Sequence, residues 1–277
     1  MTGDTKDPIA KSDLPTRFAM GVVLIAVALV AIYVGGWLFR ILVAAAAAVM
    51  LLEWADMHRV RRLWGYVGAG LLALNLLLVP EYLFPVAEQD ELISAASFDP
   101  VWRGFGAALL LAILLGAVSR RFTMFAGFLY VVIPSLALIA LNWVWFAIVL
   151  WVMVVTWATD IFAYFAGRSI GGPKLAPRIS PNKTWAGLGG GVIGAGVCGA
   201  LIALWLDMGS PFLVAGGLMG LVAQAGDLFE SWLKRRAGVK DSGTILPGHG
   251  GALDRLDGLL PVIVLTLALL MAGQWAA

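Results

Sequence analysis

The chain has 277 residues, of which 61% are hydrophobic and only 13% are charged, and its formal net charge is +2. Soluble domains are about half apolar and about a quarter charged, so this composition excludes an ordinary soluble domain and a disordered chain. The small net charge gives no support to nucleic-acid binding. The single cysteine, Cys198, excludes an internal disulfide framework and a multi-cysteine metal site.

Apolar runs follow one another along almost the whole chain. A membrane-spanning helix needs roughly 20 mostly apolar residues, and dividing the runs at their polar breaks predicts an all-α integral membrane protein with about nine transmembrane helices. The predicted spans are 18–39, 41–57, 63–79, 102–118, 122–141, 143–166, 185–206, 211–230 and 258–276. The division at Asn142 has almost no polar residue around it, and a single bent segment there would change the count by one.

The distribution of lysine and arginine predicts the orientation, because cytoplasmic loops carry an excess of both. With the N-terminus in the cytoplasm, all but two of the 19 basic residues fall on the cytoplasmic side, the exceptions being Arg40 and Arg103. The C-terminus then lies on the outer side. The compact chain suggests the inner membrane of a bacterium.

The two halves of the chain differ in their predicted loops. Residues 1–142 carry about five predicted spans and no dense group of chemical residues, which indicates an N-terminal membrane scaffold. Residues 143–277 carry about four predicted spans, and the cytoplasmic loops 167–184 and 231–257 mix Gly, Pro, Lys, Arg, Asp, Asn, Ser and His. We therefore expect the second half to be a catalytic membrane domain.

Glycines recur at four-residue spacing in this second half. The pairs are Gly187 with Gly191, Gly190 with Gly194, and Gly216 with Gly220. Such small-xxx-small spacings let helix backbones approach closely in lipid. They favour close helix packing here over direct contact with a ligand.

Ionisable residues at membrane depth are functional candidates by default because their burial is costly. Asp227, Glu230 and Ser231 stand at i, i+3 and i+4, so a helix presents them on one face. Two carboxylates and a hydroxyl suit Mg²⁺, which is commonly held by carboxylates together with substrate phosphates. The alternative is a structural pair of carboxylates neutralised by Lys234 or Arg235, and spacing alone leaves both open.

Two further segments carry polar residues beside the spans. Asp160 and Tyr164 share a helical face with Arg168 one turn on, a spacing that favours an Asp–Arg pair closing the helix end. Residues 180–185 read SPNKTW, where Ser180 or Asn182 can cap the next helix. A helix N-terminus preceded by a lysine and hydroxyl groups is also suited to anions.

The densest polar region runs from Ser231 to Asp257. It contains four basic residues that can meet a polyphosphate, a Gly-rich turn around His249, and two carboxylates, Asp254 and Asp257, at i and i+3. The basic residues are Lys234, Arg235, Arg236 and Lys240. A positive-inside anchor explains the basic residues but not the carboxylates or the turn. Cations and phosphates together indicate phosphoryl or nucleotidyl transfer, and a site in the membrane indicates a lipid substrate.

The segment from Ser231 to Asp257 resembles the signature of the phosphatidate cytidylyltransferase (CDP-diacylglycerol synthase) family. The residues that carry the resemblance are Ser231, Leu233, Lys234, Arg235, Lys240, Asp241, Gly243, Leu246, Pro247, His249, Gly250, Gly251, Leu253, Asp254, Arg255 and Asp257. Asp160, Arg168, 180–185 and Asp227 resemble the same family upstream. Asn182 stands where many members carry lysine, and the resemblance is specific over about 160–258.

The resemblance implies a Mg²⁺-dependent transfer of the cytidylyl group from CTP to phosphatidic acid, giving CDP-diacylglycerol and pyrophosphate. It also leaves room for a second cation at the site. It also implies an all-helical fold, a homodimer and a site open to the cytoplasm. It assigns Asp227, Asp254 and Asp257 as metal ligands, and these three with Lys240 as catalytic residues. The substrate-binding residues that it implies are Arg168, Ser180, Asn182, Lys183, Ser231, Lys234, Arg235, Asp241, His249 and Arg255.

Three other classes compete with this interpretation. A CDP-alcohol phosphotransferase would need an Asp-rich pattern that the chain matches only at Asp257-Gly258. A lipid kinase that uses CTP has related chemistry but would release CDP instead of pyrophosphate. A transporter would fit intramembrane charges, but here the charges gather at one predicted face and do not mark a path through the membrane midplane.

Overall fold

The computed structural model describes residues 13–83, 99–243 and 250–273, and most of them are helical. The long helices are α1 (Asp13–Val34), α2 (Gly36–Met57), α3 (Arg62–Leu83), α4 (Asp99–Ser119), α5 (Phe122–Val144), α6 (Phe146–Ser169), α7 (Trp185–Trp205), α8 (Ser210–Ala237) and α10 (Leu259–Met271). A single turn of helix, α9 (Leu253–Leu256), precedes α10. The predicted helical class is therefore confirmed.

Six of these helices are long and apolar enough to cross a membrane, among the residues that the structure describes. They are α2, α5, α6, α7, α8 and the Val101–Ser119 part of α4. Three shorter apolar helices are Gly21–Val34, Arg62–Leu78 and Leu259–Met271. The structure supports an integral membrane protein, while the count of nine spans and the direction of the chain stay predictions.

The first helix break differs from its predicted position. The sequence places it near Arg40, but α1 ends at Val34 and α2 begins at Gly36. The reason is local: Gly35 and Gly36 have φ values of +65° and +54°, which side chains with a Cβ rarely adopt. The break at the end of α5 also moves, from Asn142 to the extended residue Trp145, so that two separate helices are present there.

The chain near residue 230 is also more helical than predicted. α8 continues to Ala237, so Ser231, Lys234 and Arg235 lie on a helix and not in a loop. No helix-breaking residue intervenes until Gly238, whose left-handed φ of +79° ends α8 while its N–H bonds to carbonyls of the last turn.

A small hairpin interrupts the predicted loop 167–184, where the all-α prediction had no strand. β1 (Lys174–Ala176) pairs antiparallel with β2 (Ser180–Thr184), in the register Lys174 to Thr184 and Ala176 to Ser180. The hairpin projects from the end of α6 and leads directly into α7. It therefore fixes where the first turn of α7 begins.

The long helices pack in two groups, which are joined by α1, by α10 and by direct contact of α5 with α6. In one group α3 and α5 contact each other and both contact α2 and α4; in the other, α6, α7 and α8 all contact one another. α10 contacts α5, α6 and α8, and the short α9 contacts α2. Residues from both predicted domains thus contribute to one packed helical bundle.

Glycines set the close spacing of α6, α7 and α8. A Cβ on Gly191 of α7 would lie 3.0 Å from the Thr159 carbonyl of α6 and 2.8 Å from the Gln224 amide of α8. A Cβ on Gly216 of α8 would lie 2.5 Å from the Ala195 carbonyl of α7. The predicted role of these glycines in helix packing is confirmed.

Substitution of neighbouring glycines on α8 tests this packing. Gly216→Ala should lower the Tm of the protein in detergent, because overpacking costs about 1–3 kcal/mol and outweighs the gain of about 0.5–1 kcal/mol for alanine over glycine in a helix. The matched control is Gly217→Ala, whose Cβ would meet Val192 at an ordinary 3.6 Å. Equal Tm values for the two variants would contradict the assigned contact.

Candidate active site

One face of α8 carries the central charged residues of the site. Asp227, Glu230, Ser231 and Lys234 stand at i, i+3, i+4 and i+7, and α8 presents them together as the sequence predicts. Two groups of partners meet this face. The hairpin and α6 approach from one side, and the loop before α10 approaches from the other.

The hairpin contributes Lys183, which reaches across to α8. Its Nζ lies 2.7 Å from Asp227 Oδ2 and 3.3 Å from Gln224 Oε1. The Ser231 hydroxyl donates to the other oxygen, Oδ1, of Asp227 at 3.3 Å. Asp227 is therefore neutralised by a lysine from the hairpin and not by Lys234 or Arg235.

The residue that caps α7 after the hairpin is Thr184, which differs from the predicted caps. Ser180 and Asn182 were the predicted caps, but both lie in β2, and this prediction is wrong. Thr184 is the residue that directly precedes α7, and its hydroxyl accepts a hydrogen bond from the Gly187 N–H at 3.0 Å. Strand pairing holds the earlier residues away from the first turn of the helix.

A cavity of about 560 Å³ lies between α6, the hairpin, the start of α7 and α8. Its lining combines charged side chains with apolar and small ones. The lining residues are Asp160, Ala163, Tyr164, Gly167, Arg168, Asn182, Lys183, Thr184, Gly187, Leu188, Gln224 and Asp227. Four residues predicted for the site, Arg168, Asn182, Lys183 and Asp227, therefore share one cavity.

Arg168 does not close the helix end as its spacing suggested. Its guanidinium donates to the Tyr164 hydroxyl at 2.7 Å and lies over the Tyr164 ring. Asp160 has Asp227, Lys183 and Arg255 as its electrostatic neighbours. Within the described residues, the structure thus pairs Arg168 with Tyr164, not with Asp160.

Lys234 connects α8 with the loop on the other side. Its Nζ lies 2.9 Å from Glu230 Oε2 and 2.6 Å from Asp254 Oδ1. Asp254 also accepts the backbone N–H groups of Ser242 and Gly251, each at 3.0 Å. Burial opposes ionisation of Asp254, but these hydrogen bonds prevail and hold the pKa of Asp254 below its usual value. Asp254 is therefore a charged residue that links the backbone at Ser242 and Gly251 to Lys234.

Asp257 approaches α8 one turn further along the same segment. Gly226 permits this approach, because a Cβ there would lie 2.6 Å from the Asp257 carbonyl oxygen. Burial raises the pKa of Asp257, and the negative charges of Asp227 and Glu230 raise it further. A side-chain hydrogen bond with Glu230 also raises the pKa of Asp257, and a divalent cation held by oxygens of Asp227 and Asp257 would offset the repulsion between those two carboxylates.

This donor set fits Mg²⁺ in chemical type. Mg²⁺ is usually held by one or two carboxylates, with phosphates and waters completing its octahedron. No group of three or more His, Cys, Asp or Glu residues forms a ready metal cage within the described part of the chain. Asp227 and Asp257 can therefore supply part of a coordination shell that a phosphate substrate would complete.

The remaining predicted residues lie around this centre. Arg235 donates to the carbonyls of Ile179 and Val239, both at 3.4 Å, and so ties the end of α8 to the hairpin. Ser180 is half-buried in β2, Lys240 and Asp241 are exposed just after α8, and Arg255 is exposed on α9. His249 lies outside the described residues.

Sequence reasoning missed Glu53, which lies on α2 in the half predicted as scaffold. Its carboxylate is buried and accepts hydrogen bonds from Ser242, Ala252 and Leu253. A carboxylate inside a predicted span was a usable signal, by the same argument that selected Asp227. Gln224 was missed as well, although it also bonds to Lys183.

The chain is similar over nearly its whole length to known proteins. A family model described as "Cytidylyltransferase family" matches residues 15–272. Phosphatidate cytidylyltransferase from Brucella abortus biovar 1 (strain 9-941) is 38% identical over 266 residues, which cover 92% of each chain. The protein of the same name from Bacillus subtilis (strain 168) is 36% identical, and the match covers 93% of this chain and 98% of the relative. The one from Pseudomonas aeruginosa is 32% identical, and the match covers 95% of this chain and 99% of the relative. The chain is thus a nucleotidyltransferase that belongs to the cytidylyltransferase family.

Proposed function

We propose that the protein transfers the cytidylyl group of CTP to phosphatidic acid, which yields CDP-diacylglycerol and pyrophosphate. The observation that carries the proposal is the position of Lys183 and Asp227, paired at 2.7 Å on the wall of a cavity of about 560 Å³. A cation and an anion held together there can each meet a part of a metal-bound phosphate. The name shared by the relatives supports the choice of substrates.

The surroundings of the cavity suit a lipid substrate. Tyr164, Trp185 and Phe165 are each more than half exposed around the charged wall, and Leu188 lines the cavity itself. Large exposed apolar side chains on a helical membrane protein are those that face lipid. A phosphate on an acyl-bearing molecule can thus reach Lys183 while its chains stay in the bilayer.

The basic side chains have separate tasks in this proposal. Lys183 and Arg255 hold substrate phosphates at the cavity, which Arg168 and Asn182 also line. Ser180, at the start of the same strand β2, adds a hydroxyl for phosphate binding. Lys234 lies between Glu230 and Asp254 and keeps the acidic face from repelling the nucleotide. The proposed binding set also includes Ser231 and Arg235 on α8, the exposed Asp241, and His249. Lys240, exposed just after α8, is proposed as a catalytic residue.

The acidic residues would hold Mg²⁺, the proposed cofactor. Asp227 and Asp257 are the main ligands in this proposal, since both lie where carboxylates repel one another. Asp254 is engaged with Lys234 and two backbone N–H groups, so its ligation would require an exchange of partners. When bound, the cation would neutralise charge on the phosphate oxygens of CTP.

The reaction needs no nucleophile from the protein. An oxygen of the lipid phosphate attacks the α-phosphorus of CTP in line and forms the new phosphorus–oxygen bond. The bond from the α-phosphorus to the bridging oxygen breaks, and pyrophosphate leaves with the electron pair. The protein therefore contributes position and positive charge, which are the main sources of catalysis in transfers at phosphorus.

The cellular arrangement follows from the same proposal. CTP is a cytoplasmic metabolite, so the site would face the cytoplasm, and the inner membrane of a bacterium would hold the protein, in line with its bacterial relatives. The excess of basic residues on one predicted side supports this orientation. A homodimer remains a proposal that rests on the family resemblance.

The reaction is tested with the purified protein in detergent, phosphatidic acid, Mg²⁺ and CTP labelled at the α-phosphorus. We expect label to enter the lipid and an equal amount of pyrophosphate to form. Release of CDP without labelled lipid would indicate a kinase and would overturn the proposal. Absence of any reaction in a folded sample supplied with lipid would contradict it as well.

Substitution of the proposed metal ligands tests their assignment. Asp227→Asn and Asp257→Asn should each lower kcat by about 100-fold or more, because a bound metal contributes several kcal/mol of charge stabilisation. Chelation of Mg²⁺ should abolish turnover of the unsubstituted protein. The matched control is Asp207→Asn, which changes an exposed residue in the turn between α7 and α8.

The control should keep its activity within about twofold, as expected for a surface change. Binding of Mn²⁺, followed by its electron spin resonance signal, gives a readout apart from turnover. Near-normal kcat and unchanged Mn²⁺ affinity in either carboxylate variant would remove that residue from the proposed metal site.

A further inference from the structure

A buried carboxylate on α2 joins two distant stretches of the chain. Glu53 is only 1% exposed. Its oxygens accept the Ala252 and Leu253 backbone N–H groups at 2.9 and 3.0 Å, and the Ser242 hydroxyl at 3.2 Å. The two backbone donors lie 199 and 200 positions further along the chain. Glu53 therefore fixes the backbone that leads into α9.

Two glycines let that backbone close around the carboxylate. A Cβ on Gly243 would lie 2.7 Å from Glu53 Cγ, and one on Gly251 would lie 2.7 Å from Glu53 Oε2. Contacts this short would force either the backbone or Glu53 to move. The backbone at Gly243 and at Gly251 therefore fits closely against the Glu53 side chain.

The same backbone is held from its other side by Asp254. The Ser242 N–H donates to Asp254 while the Ser242 hydroxyl donates to Glu53. Gly251 donates its N–H to Asp254, and the next two residues donate theirs to Glu53. Because Asp254 also contacts Lys234 at 2.6 Å, a shift of this backbone would move Lys234 on the charged face of α8.

The hydrogen bonds of Glu53 also control the direction of α9. Ala252 precedes α9 and has no side-chain oxygen with which to cap it. The Glu53 carboxylate caps α9 instead, because it accepts hydrogen bonds from the Ala252 and Leu253 N–H groups. Arg255 and Asp257 follow directly, so their approach to the cavity and to α8 depends on where Glu53 holds the chain.

We propose that Glu53 is a positioning residue for the transfer reaction, acting through the 250–257 segment on Asp254, Lys234 and Asp257. This inference rests on the proposed function, because it assigns Glu53 a part in turnover at that site. It also gives the first half of the chain a part in catalysis. The competing explanation is that Glu53 only stabilises the fold.

Glu53→Gln separates the two explanations. Glutamine keeps the size of the side chain, but its NH₂ group replaces one of the two oxygens that accept backbone N–H groups. The glutamine NH₂ group, itself a donor, would then face the backbone N–H donor of Ala252 or Leu253. We expect kcat per folded enzyme to fall by about tenfold or more, with KM for CTP changed by less than about threefold.

The matched control lies two positions away on the same helix. Leu51 is fully buried and packs against Gly68 of α3, away from the loop. Leu51→Ala should lower Tm at least as much as Glu53→Gln, because it opens a cavity. It should nevertheless leave kcat per folded enzyme within about twofold, since it does not move the loop.

Amide hydrogen exchange gives a readout that does not depend on turnover. In Glu53→Gln, exchange in the 250–257 peptide should become at least about tenfold faster while α3 stays protected, and Leu51→Ala should show the reverse pattern. Equal kcat losses in the two variants, or unchanged exchange at 250–257, would overturn the proposal. If the unsubstituted protein makes no CDP-diacylglycerol, the proposed function fails, and the exchange comparison still decides whether Glu53 holds the loop.

Discussion

The arrangement of the site depends on one lysine held between two carboxylates. Lys234 lies within 3 Å of Glu230 on its own helix and of Asp254 on α9, 20 positions later. A charge inside a helical bundle is tolerated only when it is paired, so the loop must return to α8 for the bundle to be stable. That return also brings Asp257 within electrostatic reach of Asp227 and Glu230. The pairing of buried charges thus builds the acidic centre as well as stabilising it.

Helix spacing supplies the second constraint. Lipid gives helices little hydrophobic reason to associate, so their contact relies on close packing of small residues. Gly191 and Gly216 bring α6, α7 and α8 near enough for the hairpin side chain Lys183 to reach Asp227. A larger separation would leave the two charges unpaired in a surrounding of low polarity. The glycines therefore affect the position of Lys183 and Asp227 through helix spacing alone.

Several features of the site could be predicted from local spacing, and others could not. Asp227, Glu230 and Ser231 share a face because helical geometry fixes the direction of side chains three and four positions apart. The prediction of Ser180 or Asn182 as the helix cap is wrong, because the hairpin that places Thr184 at the start of α7 depends on pairing between strands. The extent of α8 was underestimated, since basic residues mark a membrane boundary but do not end a helix.

The sequence by itself determined the helical membrane class, the family and the identity of most charged residues at the site. Composition, hydropathy and motif spacing are local properties, and each of these conclusions needs nothing more. Only the tertiary structure decided which charge pairs with which, because partners such as Lys183 and Asp227 are 44 positions apart in the numbering. The same holds for Glu53, whose carboxylate meets its donors only after α2 and the segment before α10 have packed together.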